Sequence, residues 1–124
     1  MFRMMLIAAL GVFFIVPASA DETGLASMHD WKLEKRGTMC MATHFHDGSG
    51  NGGTRKEAEN AAVRAWREFT SFEYGSDWDS YKRSASRTMD CFEMVGTKKW
   101  SCNTSARPCK PYVKSRNSSK SASR

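Results

Sequence analysis

The chain lacks most of what a catalyst or a membrane transporter needs. Its 124 residues hold one small domain at most, which excludes a large enzyme, a multidomain regulator and a polytopic membrane protein. There is no C-x-x-C pair, which argues against a thioredoxin-like redox role. No serine sits in a G-x-S-x-G elbow. The glycines between Gly48 and Gly53 are not followed by the Lys-Ser/Thr pair of a phosphate loop. After residue 20 no stretch is apolar enough to span a bilayer. What remains is a domain expected to be non-catalytic, with no catalytic residue assigned.

The N-terminus reads as an address. Arg3 is the only charge before Asp21, and Met4–Val16 is an apolar run of 13 residues. Pro17 ends the run, and Ala18-Ser19-Ala20 supplies the small residues of a cleavage site. Basic, apolar and small-residue parts in this order make a secretory signal peptide over residues 1–20, cut near Ala20-Asp21. The protein is therefore expected in the periplasm or outside the cell, with no transmembrane span after cleavage. An uncleaved anchor is the competing reading.

All four cysteines, Cys40, Cys91, Cys102 and Cys109, follow the leader. An even count in a small exported chain predicts two disulfides, with three pairings open. Closing a loop of about 50 residues, such as Cys40 to Cys91, is worth about 4 kcal/mol. A domain this small is marginal without such help.

The remaining pattern predicts an α+β fold. Residues 21–36 form an N-terminal arm with a helical turn near Trp31 and Leu33. Residues 37–46 read as a strand, and residues 47–53 as a glycine-rich turn. Thr54 and Glu57 make a capping box. Behind it Ala58, Ala61, Ala62, Ala65, Trp66 and Phe69 recur at helical spacing. Gly75 stops the helix, and Ser76–Ser84 reads as a second, shorter one. Thr88–Val95 and Trp100–Ala106 are strands around a turn, with Cys91 and Cys102 diagonal neighbours on one face. The expected architecture is a single disulfide-bonded domain, residues 21–109. In it a main helix and a short helix cover a three-stranded antiparallel sheet.

Residues 110–124 differ in composition. They carry Lys110, Lys114, Arg116, Lys120 and Arg124, five serines and no acid. Positive and negative charges balance over residues 21–109, so the net charge after cleavage, +5, sits on this tail. It reads as a disordered tail that binds an anionic component of the cell surface: lipid headgroups, lipopolysaccharide or wall polymer. Nucleic acid is excluded as a partner by compartment and by the lack of a basic face on the domain.

A second cluster carries chemistry of another kind. Met39, Met41, His44 and His46 lie within one short segment, with Met28 and His29 upstream. Thioethers suit Cu(I); imidazoles suit Cu(II) and Zn(II). The segment is a candidate copper or zinc site, against the plainer alternative of core methionines and a solvated strand end. The aromatics Trp31, Trp66, Tyr74, Trp78, Tyr81 and Trp100 read as core rather than as a sugar-binding groove.

The stretch Thr54–Cys109 also carries a wider pattern. An Ala-rich helix ends in Ala65-Trp66, followed by Tyr74-Gly75 and Trp78. It closes with Cys91, Trp100, Cys102 and Ala106-Arg107-Pro108-Cys109. This resembles a group of small exported proteins of alphaproteobacteria, mostly of unassigned function. The resemblance implies an envelope location and brings no catalytic residues with it.

Overall fold

The computed structural model describes residues 23–34 and 37–112. The leader, and Lys114, Arg116, Lys120 and Arg124 of the tail, lie outside the described residues. The protein is a small α+β domain with one main helix, antiparallel strands in two sheets, and two disulfides.

Strands β1 (Trp31–Glu34), β2 (Thr38–Met41) and β6 (Cys109–Pro111) form one three-stranded sheet in the order β1-β2-β6. Strands β3 (His46–Gly52), β5 (Lys99–Arg107) and β4 (Ala85–Met94) form the other, in the order β3-β5-β4. Helix α1 (Arg55–Tyr74) lies across β3 and β5. Pro108 alone separates β5 from β6, so the chain passes directly from one sheet to the other.

The helix begins as its sequence predicts. Thr54 Oγ1 accepts from the Glu57 amide at 3.2 Å. The Glu57 carboxylate reaches back to the Gly53 amide at 2.9 Å, one residue beyond the usual capping-box partner. At the other end Gly75, at φ +98°, turns the chain out of the helix while its amide still reaches Ser71 O at 2.9 Å.

The glycine-rich segment is not a turn. Residues 46–52 form β3, paired with β5 from His46↔Ala106 to Gly52↔Trp100. The glycines alternate, so Gly48, Gly50 and Gly52 share the face turned to α1. A Cβ at Gly50 would collide with the backbone of Ala61 and Ala62, and one at Gly52 would stand 2.7 Å from Ala58 N. Glycine is present because the helix lies almost on the strand, a tertiary demand that local turn propensity cannot express. Two strand residues advance about 6.7 Å and four helical residues about 6 Å, so the two repeats run nearly in step. Gly52 meets Ala58, Gly50 meets Ala62, Gly48 meets Trp66, and His46 meets Thr70.

This register explains which helical side chains are buried. The inward ridge is Ala58, Ala62, Trp66, Thr70 and Tyr74, spaced by four. Phe69, expected in the core, is 47% exposed; it sits one position off that ridge. Trp66 is fully buried and donates from Nε1 to Ala106 O at 3.3 Å. Burial of a side chain of this class is worth roughly 1.5–3 kcal/mol.

Four further expectations are corrected. The helical turn of the N-terminal arm is a 3-10 turn at Leu25–Met28, while Trp31 and Leu33 belong to β1. The short second helix is a 3-10 turn of three residues, Ser76–Trp78, anchored by the buried Trp78. Cys91 and Cys102 are directly opposite rather than diagonal. The strand also continues past Cys109, so Lys110 lies in β6 with its ammonium 5.1 Å above the Trp78 ring.

Both disulfides join residues that face each other across antiparallel pairs. Cys91–Cys102 links β4 to β5, and Cys40–Cys109 links β2 to β6. Arg107, 7% exposed, ties the two sheets together. It donates from Nη1 to Met41 O at 2.6 Å, from Nε to Ser86 Oγ at 3.1 Å and from Nη2 to Glu34 Oε1 at 2.9 Å.

Candidate metal centre

His46 opens β3, on the same inward face as the three glycines, and is 1% exposed. The register of strand on helix sets it against the last turns of α1. Its Nδ1 lies 2.9 Å from Thr70 Oγ1, and its Nε2 lies 2.7 Å from Glu73 Oε2. Thr70 uses its only hydroxyl proton on Trp66 O, at 2.7 Å. The contact with His46 is therefore one in which Nδ1–H donates and Thr70 accepts. This makes Nδ1 a protonated nitrogen and turns Nε2 toward the Glu73 carboxylate.

Burial pushes the His46 pKa well below the usual imidazole range, Glu73 opposes this, and His44 adds to the lowering. His46 Nε2 and Glu73 Oε2 are both buried and are paired with each other at 2.7 Å, while the buried Tyr74 OH has no hydrogen-bond partner. Buried polar groups are satisfied as a rule, and this exception packs on the His46 ring. Burial and the Glu73 charge raise the Tyr74 phenol to about 12.

The other histidines complete the group. His44 is half-buried, and its ring meets His46 edge-on at 5.2 Å. One ligand atom from each of His44, His46 and Glu73 lies within 4.8 Å of the others. His29 stacks on His44 with centroids 4.1 Å apart and ring planes at 22°. Tyr74 packs against all three imidazoles. A shallow cleft of about 440 Å³ opens onto the cluster between Phe45, Asp47 and Phe69. Two larger clefts, of about 520 and 550 Å³, flank Arg67 and Asp79 and are lined by no histidine.

The segment singled out in the sequence thus divides. His44 and His46 come together, joined by His29. Met39 and Met41 are buried in a core cluster with Ala26, Tyr74 and Trp78. Glu73 and Thr70 carried no sequence signal, because they reach His46 only through the packing of α1 on β3. Of the aromatics, Trp66, Tyr74 and Trp78 are buried, Tyr81 and Trp100 are half-buried, and Trp31 is 48% exposed. Comparison with protein-family models, curated proteins and solved structures finds no match. Among the described residues no helix is long and apolar enough to cross a membrane, and the two disulfides are compatible with an extracellular or periplasmic protein.

Proposed function

We propose that this is an exported, non-catalytic protein that holds a divalent zinc or copper ion between His44, His46 and Glu73. The observation that carries this reading is the convergence of two imidazoles and a carboxylate: one ligand atom from each of His44, His46 and Glu73 lies within 4.8 Å of the others, and His46 Nε2 lies 2.7 Å from Glu73 Oε2. Two imidazoles and a carboxylate suit Zn(II) or Cu(II). Cu(I) would call for the thioethers, and Met39 and Met41 serve the core instead. A tetrahedral ion with bonds of about 2.0 Å holds its donors about 3.3 Å apart, so Nε2 and Oε2 separate by roughly half an ångström on binding. Thr70 acts behind His46, as the partner that fixes a ligating imidazole.

Calorimetric titration of the oxidised protein with zinc and with copper(II) tests the reading. One ion per chain is expected, with shifts of the His44 and His46 ring signals in NMR. Glu73→Gln and His44→Ala should each weaken binding. No one-to-one binding, or binding untouched by both substitutions, overturns it.

Export is supported by the signal-peptide pattern of residues 1–20, by the paired cysteines, and by the resemblance of Thr54–Cys109 to small exported proteins of alphaproteobacteria. A second reading rests on charge. The five cations and no acid of residues 110–124 fit weak, salt-sensitive attraction to an anionic envelope surface. Co-sedimentation with anionic vesicles, with and without residues 113–124, tests it; equal pelleting at low salt counts against it.

A further inference from the structure

The proposed centre has three donors, and a tetrahedral ion takes a fourth. We infer that His29 supplies it, so that the metal clasps the N-terminal arm Thr23–Asp30 onto the domain. This rests on the metal reading of His44, His46 and Glu73.

The arm is tied down at both ends to the segments that carry those donors. Thr23 Oγ1 donates to the backbone carbonyl of Glu73. At the other end Ala42 N donates to Asp30 O at 2.8 Å, two residues before His44. Between these ties Ala26 alone is buried, while Leu25, Ser27 and Met28 are exposed. A segment with so little apolar burial opens at low cost. Its one imidazole lies directly on a donor: the His29 and His44 rings stack at 4.1 Å. As the structure stands His29 is not among the three converging donors; the clasp needs its ring to turn out of that stack toward the ion held by the other three groups.

An ion bound by both the domain and the arm stabilises the docked arm by mass action. Opening the arm in turn removes one ligand and widens the route for release. The arm then acts as a clasp, closed by the metal and opened to give the metal up.

The test uses the full oxidised protein, zinc as the probe, and cobalt(II) for its visible spectrum. His29→Ala removes both ring and donor; His29→Phe keeps a ring for the stack and removes only the donor. Both variants should bind zinc on the order of 10–100-fold more weakly than the wild type and give a changed cobalt spectrum. Zinc should slow amide exchange over residues 25–30 in the wild type and not in either variant. If His29→Phe binds zinc as tightly as the wild type, with the same cobalt spectrum, His29 only packs and the clasp is wrong. A wild-type protein that binds no zinc overturns the centre itself along with the clasp.

Discussion

Gly48 and Trp66 set how closely the helix approaches its sheet: a Cβ on Gly48 would stand 2.6 Å from the Trp66 backbone nitrogen. That approach carries His46, two residues earlier on the same face, to the last turns of α1, where Thr70 and Glu73 meet both of its ring nitrogens. Packing and site are one arrangement, and disturbing the first disturbs the second.

Gly48→Ala and Gly50→Ala should therefore each destabilise the domain by about 3 kcal/mol or more, since rigid backbone is what must move. Gly53→Ala is the control; its Cβ would meet only the flexible end of Glu57, at 3.4 Å. Urea unfolding measures all three. Equal stability of Gly50→Ala and Gly53→Ala would show that the helix sits further from the sheet than described.

The two disulfides should contribute unequally. Cys40–Cys109 spans 69 positions and Cys91–Cys102 spans 11, which in chain-entropy terms corresponds to about 4 and about 3 kcal/mol. Replacing Cys40 and Cys109 together by Ala should lower the melting temperature more than replacing Cys91 and Cys102. Calorimetry of the two double variants decides the order.

Arg107 predicts a pH dependence. Its hydrogen bond to Glu34, with lesser help from Lys32, holds the Glu34 carboxyl below its ordinary value of 4.5. A depressed folded-state pKa contributes stability above the unfolded-state value and loses it as pH falls through the folded one. Acid should therefore weaken the wild type in the window below about 4.5, and Glu34→Gln should flatten that part of the profile. Arg107→Ala should remove it too, and should cost about 2 kcal/mol more at neutral pH by leaving the buried Met41 carbonyl unpaired. Thermal melts from pH 3 to 7 give the comparison.

Thr70→Val keeps the shape of the side chain and removes the acceptor for His46 Nδ1–H. Two-dimensional nitrogen NMR of the metal-free wild type should show the tautomer protonated at Nδ1. The variant should lose that preference, and its zinc affinity should fall about 10-fold or more. An unchanged tautomer in the variant would mean that something other than Thr70 fixes the ring.

The capping box at Thr54, the stop at Gly75 and the Ala-rich inward ridge were legible in the chain because they follow from local chemistry and helical period. So was the face shared by Cys91 and Cys102, which strand alternation sets. The residues from Gly48 to Gly52 were misleading, because a glycine demanded by a close-lying helix looks the same as a glycine demanded by a turn. Phe69 misled for a related reason: a one-residue rotation of the helix on the strand exposes it and buries Thr70 and Tyr74 instead.

One main helix with antiparallel strands, two bridges among four cysteines, and the nearness of His44 to His46 all follow from the residue order. The pairing of the cysteines, the division of the strands into two sheets, and the meeting of His46 with Glu73 and Thr70 come from packing in three dimensions. Those contacts join residues up to 69 positions apart, and what selects them is how closely α1 can lie on a strand that has no side chains in its way.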